Sequence, residues 1–199
     1  MTPWEHHPAL TSERLCAIGE LIRRGRNSAL DRFDPAVGCS PWSLGCEAFE
    51  FQRHEISQAA EVLPWLQVLN PTMQFVFSVD GVPVRFYKGA PDEPTTRTLK
   101  QTFVELQQQT LFGPEELVPL TAEPLYRFAV ETDDEGAVLA ISFVVLAGEL
   151  PVLVWQVPLE DAVARMSPMW TAPAEGVDLP PPVVSISATK DADKKEAGG

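Results

Sequence analysis

Met73-Gln-Phe-Val-Phe-Ser-Val-Asp80-Gly81-Val-Pro-Val-Arg-Phe-Tyr-Lys88 reads as a β-hairpin. Asp-Gly tolerates positive φ at both central positions of a two-residue turn, so Asp80-Gly81 favours type I′. That turn sets Val79 opposite Val82 and fixes the register of both strands. Side chains then alternate between faces. Met73, Phe75, Phe77, Val79, Val82, Val84 and Phe86 share one face. Gln74, Val76, Ser78, Pro83, Arg85 and Tyr87 share the other. The first is a core face. The second mixes apolar groups with a guanidinium and a phenol, so its pattern fits either solvent or a covering layer.

Upstream of the hairpin the apolar period changes from two to helical spacing. Leu15, Ile18 and Ile22 predict a helix from about Ser12 to Arg24, capped by Thr11 or Ser12 and ended by Gly25. Residues 1–11 read as irregular. Ser40-Pro41 is an N-cap followed by proline at the first helical position, which predicts a second helix to about Val62. Its stripe is Trp42, Cys46, Phe49, Arg53, Ile56, Ala60 and Leu63. Pro64 and Pro71 bracket what reads as a short connection into the hairpin.

Downstream, Thr95 or Thr96 caps a third predicted helix lasting to about Leu111, where Gly113-Pro114 stops it. Pro114–Pro124 reads as a loop. Leu125–Thr132 alternates as a strand, and Asp133-Asp134-Glu135-Gly136 turns it into Ala137–Ala147. That run is apolar on both faces, as a strand covered on both sides should be. Val152–Val157 is the fifth predicted strand, with a short helix expected over Leu159–Met166. From Ser167 onward prolines and small residues predict a flexible tail.

The order α-α-β-β-α-β-β-β, with hairpins and no βαβ rhythm, predicts an α+β fold. The expected sheet is five-stranded and mainly antiparallel, with helices packed on it. Residues 12–166 are expected to form one domain and 167–199 a Pro-rich tail.

Charge and composition exclude several function classes. The 199 residues carry a net charge of −13. Residues 1–100 balance to −2 and residues 101–199 to −11. An acidic surface opposes direct nucleic-acid binding, which requires Lys and Arg on phosphates. It also opposes docking on anionic membranes. The longest apolar run, Ala137–Gly148, is too short to span a bilayer. Cys16, Cys39 and Cys46 form no disulfide framework, and no signal peptide is evident at the start. The expected location is the cytoplasm of a bacterial cell.

Signatures for catalysis are absent. There is no phosphate loop or dinucleotide fingerprint, no Gly-x-Ser-x-Gly and no His-Glu-x-x-His. Cys39 and Cys46 are too widely spaced for a structural zinc pair. No cofactor and no metal is therefore expected. The residues that draw attention are Arg53, on an otherwise apolar helical stripe, and the pair Arg85 and Tyr87. A buried guanidinium must meet a carboxylate or carbonyl, so Arg53 is expected to pair with Glu47 or Glu50, or to hold an anionic ligand. Arg and Tyr are frequent interface anchors, which makes Arg85 and Tyr87 candidate binding residues.

The function these features favour is a non-enzymatic interaction or regulatory protein with a protein partner. A basic, nucleic-acid-associated partner would complement the acidic half. One alternative is a small metal-dependent enzyme acting on nucleic acid through carboxylates near Asp80 or Glu131–Glu135. Another follows from Gly198-Gly199 behind a β-β-α-β-β-β core. That combination resembles ubiquitin-like modifiers and implies conjugation through the terminal glycine.

Overall fold

The computed structural model describes residues 2–102, 104, 105, 107 and 124–159. Asp80 and Gly81 both have positive φ, 50° and 87°, as a type I′ turn requires. Val79 faces Val82, and pairing continues to Phe77 opposite Val84. There it stops. The paired strands are Val76–Val79 and Val82–Lys88, whereas the sequence pattern runs the hairpin back to Met73. Met73 is exposed instead.

Among the described residues the sheet has six strands, not five. The additional one is Leu66–Asn70, which the flanking Pro64 and Pro71 disguise as a linker. It is a short edge strand, and edges tolerate flanking prolines that a central strand would not. In chain order the strands are β1 (Leu66–Asn70), β2 (Val76–Val79), β3 (Val82–Lys88), β4 (Leu125–Thr132), β5 (Val138–Ala147) and β6 (Leu150–Gln156). Their spatial order is the same, β1-β2-β3-β4-β5-β6. Four of the five ladders are antiparallel. β3 and β4 are parallel, with Val84 opposite Tyr126 and Lys88 opposite Val130. The sheet is therefore mixed. A parallel neighbour demands a crossover, and the chain between Lys88 and Leu125 supplies it.

The helices are α1 (Pro3–His6), α2 (Ser12–Leu30), α3 (Pro41–Ala60) and α4 (Thr96–Leu99), with a 3-10 turn at Pro35–Val37. Thr11 caps α2 by accepting from the Arg14 N–H, and Ser40 caps α3 by accepting from Ser43. α2 does not end at Gly25. It passes through that residue because Gly25 is where α3 crosses. A Cβ there would lie 2.5 Å from the backbone N of Gln52. Gly25 thus serves close helix packing rather than termination. The same crossing rotates α3 away from the sequence stripe. Leu44, Ala48, Gln52 and Ile56 are its buried residues, while Trp42 and Cys46 are exposed. Gly25 on α2 and Ala48 on α3 allow the close approach, and Gln52 is held there by donating to the Ile22 carbonyl at 3.2 Å.

α2 and α3 cover one face of the sheet. Leu15, Ile18, Ile22 and Ile56 pack with Phe75, Phe77, Phe128 and Phe143 in the main core. Residues 1–11 read as irregular, but Pro3–His6 forms α1, with Pro at its first position, and the segment joins the core through Leu10, which is fully buried. β5 is buried on both faces, as its continuous apolar run predicts: Phe143 lies toward the helices, and Val144 and Leu146 lie on the opposite side. Among the described residues no helix is long and apolar enough to cross a membrane. The third helix, expected to run to about Leu111, stops at Leu99, where Lys100 is extended; residues 108–111, most of the Leu159–Met166 helix, the tail and Gly198-Gly199 lie outside the described residues.

Candidate functional site

The sheet face opposite α2 and α3 carries Arg85 and Tyr87. The N-terminal helices do not cover it. Arg85 lies opposite Arg127 across the parallel ladder, so two guanidiniums stand side by side. Like charges this close need a counter-ion. Glu105 provides it. Arg127 Nη1 is 2.6 Å from Glu105 Oε1, and Arg85 Nη1 is 3.8 Å from Oε2. Both Arg127 and Glu105 are essentially inaccessible to solvent.

The rest of the network follows from the need to satisfy every buried polar group. Arg127 donates to the Thr98 carbonyl at 3.1 Å and to the Tyr126 carbonyl at 3.0 Å. Arg85 donates to the Lys100 carbonyl at 3.1 Å. Glu105 Oε2 accepts from the Thr102 N–H at 2.8 Å and from the Thr102 hydroxyl. Arg127 Nη2 is buried with no partner. Burial pulls the Arg127 pKa below that of a free guanidinium, and Glu105 opposes the shift. Tyr87 donates its hydroxyl to the Ala90 carbonyl at 3.1 Å. Burial pushes its pKa up to about 12, with Arg127 acting in the opposite direction and Asp92 and Glu131 adding to the rise.

Arg53 lies elsewhere. It pairs with Glu50 one turn earlier on α3, one of the partners its position predicts, and donates to the Pro71 carbonyl at 2.7 Å. It therefore ties the chain at Pro71, just before Met73, to α3.

These groups frame one cleft of about 660 Å³. One wall is the first half of α3, with Trp42, Cys46, Phe49 and Glu50. The other is the second half of β3, from Arg85 to Lys88. Met73 and Phe75 stand between them, and Arg127, Thr95 and Thr98 line the far side. The cleft exists because the β2–β3 ladder stops early. Residues 71–75 swing away, and Phe75 packs on Phe86 with ring centroids 6.1 Å apart instead of extending the ladder. Trp42 and Met73 are 78% and 63% exposed at its mouth.

Arg85 and Tyr87 thus share the cleft, while Arg53 supports its wall from outside. Sequence reasoning missed Arg127, Glu105 and the exposure of Trp42. Arg127 had one signal, a charge between Tyr126 and Phe128 in a strand whose first six residues are otherwise apolar. Glu105 had none, because its partner is distant in the chain.

The groups weighed for metal and acid chemistry do not converge. Asp80, at the hairpin turn, is 3.1 Å from Arg14, and Lys88 is at the opposite end of β3. Asp133 accepts from the Ala137 N–H within its own turn. Among the described residues no group of three His, Cys, Asp or Glu side chains is placed to hold a metal ion.

Comparison with known proteins finds no matching family model, no matching curated protein and no matching solved structure.

Proposed function

We propose that this protein is a non-enzymatic interaction module whose partner lays an extended segment into the cleft between α3 and β3. The observation that carries this reading is the interrupted β2–β3 ladder. Hydrogen-bonded and non-bonded pairs alternate along an antiparallel ladder. Val79–Val82 flanks a two-residue turn, so Phe77–Val84 is of the same kind, and Phe86 and Lys88 continue the sequence. Their backbone groups therefore face the cleft rather than β2. An incoming strand would complete the ladder, and the side pockets beside it would read alternate residues.

Trp42 and Met73 suit that role as anchors. Large side chains, Trp above all, supply much of the affinity in many interfaces once the partner buries them. The charge of the lining also guides the choice of partner. Arg26, Arg85, Lys88 and Arg127 line it with Glu50, and with Glu105 as the counter-ion shared by Arg85 and Arg127 the balance is still positive, in a chain whose net charge is −13. A segment carrying carboxylates complements this lining better than a basic one. The overall acidity, which suggested a basic partner, does not extend to this lining.

Panning a displayed random-peptide library on the full chain tests the proposal. Enriched peptides should alternate apolar residues and carry Asp or Glu. Their binding should fall at least tenfold in Trp42→Ala, whose side chain is too exposed to matter for folding, and also in Lys88→Glu. Peptides indifferent to both substitutions, or no enrichment at all, would overturn it.

A further inference from the structure

We propose that the free edge of β6 joins two copies of this chain into a closed dimer with a continuous sheet. Among the described residues β6 is the last strand and has a neighbour on one side only. The Val157 N–H donates to the Ile141 carbonyl at 2.8 Å, which fixes the alternation along the strand. Leu153, Trp155 and Val157 turn their backbone groups toward β5. Val154 and Gln156 turn theirs outward.

The side chains around this edge are apolar on both sheet faces. Leu150, Val152 and Val154 are 71%, 49% and 47% exposed. On the helix-covered face, Trp155 meets the partly exposed Trp4 edge to face, with centroids 5.8 Å apart. No charged residue occurs from Leu150 to Leu159. Exposed edges are normally blunted by lysine, inward charge, proline or a bulge. Here Pro151 and the ladder irregularity lie at the Leu150 end and Pro158 lies just past the other, leaving Leu153–Gln156 regular between them. The opposite edge, β1, is shorter, presents Gln67 and Asn70, and carries its own irregularity.

Two observations select a second copy as the occupant. Copies of a chain with net charge −13 repel one another, and β6 is a place where they can meet without opposing charges. A two-fold axis normal to the sheet also makes the edge self-complementary. It sets Val154 opposite Gln156 of the other copy, and Trp155 opposite its own counterpart. The Trp4–Trp155 pairs then fall together on one face, and Val152 and Val154 on the other. Such an isologous contact closes at two copies. After β6 the chain leaves the edge: Val157 and Leu159 approach Gly19 of α2, where a Cβ would lie 2.8 and 3.3 Å from their side chains.

Sedimentation velocity on the full chain tests the dimer. The expected species has the mass of two chains. Val152→Lys and Val154→Lys, each at an exposed position, should weaken the association tenfold or more while leaving the circular dichroism unchanged. A monomer at every concentration, an assembly larger than two, or a dimer equally tight in both variants would overturn the proposal. The wild-type melting temperature gives a reading that needs no substitution. It should rise with protein concentration if two copies associate, and a flat response counts against them.

Discussion

Arg127 and Phe128 are adjacent on β4, both fully buried, and point to opposite faces of the sheet. Phe128 enters a layer of aromatic rings, stacked on Phe77 and edge-on to Phe143 at 5.1 Å. Arg127 enters a layer held by one carboxylate and two backbone carbonyls. The first layer is stabilised by area and shape, so many apolar combinations would serve. The second depends on specific partners, and a single missing group leaves a charge stranded. One sheet thus has a tolerant face and an exacting one.

The comparison can be broken from either side. Phe128→Ala should cost most, about 3–5 kcal/mol, by leaving a cavity among rigid neighbours. Chemical denaturation would measure it, and a loss below 1 kcal/mol would mean that the ring layer collapses to fill the space. Glu105→Ala removes the shared counter-ion of Arg85 and Arg127 and should cost about 3 kcal/mol. Adding Arg127→Met should restore a large part of that loss, since an apolar replacement no longer needs a partner. If the double variant is less stable than Glu105→Ala, the exacting face is held by something other than this pair.

The helix layer above the tolerant face sharpens the contrast. Gly25→Ala should destabilise by about 2 kcal/mol despite alanine's better helix propensity, because the α3 backbone must move. A gain in stability would show that the crossing has slack.

The smallest effect is in pH dependence. Tyr87 and Tyr126 are the only tyrosines, and burial raises the pKa of both, that of Tyr87 to about 12. A folded pKa above the unfolded one, near 10, means that the native state keeps protons the unfolded chain releases. The stabilising contribution is intact below the unfolded value and is lost as pH rises through the folded one. A spectrophotometric titration at pH 10 should therefore show less phenolate in the folded chain than in the unfolded one, where each tyrosine is about half ionised. Equal phenolate in the two states would contradict the burial of both rings.

The tolerant face was readable in the sequence and the exacting one largely was not. Alternation in 73–88 and 125–132 is a local signal, and Asp80-Gly81 has few conformational options. Those residues fixed the α+β class, the first turn and the β4–β5 hairpin. β1 escaped because five residues between prolines carry too little pattern. The parallel ladder escaped because nothing local records which strand a crossover returns to. Gly25 carries the sign of a helix end, and only the approach of α3 reveals its other use. At the cleft, Arg85 and Tyr87 were visible as polar residues on a half-apolar face. Glu105 was not, because an ion pair between distant segments leaves no periodicity in either.

The parallel β3–β4 ladder has a kinetic consequence. Every other strand pair joins neighbours through a short connection, so β1–β3 and β4–β6 can each zip locally. Joining them requires the segment from 89 to 124 to close first, a loop whose entropy must be lost before the ladder rewards it. Folding is expected to end with that union. Stopped-flow refolding of Val84→Ala, at the start of the ladder, should then show faster unfolding with an almost unchanged folding rate only if the union follows the transition state. A slowed folding rate would place it within the barrier.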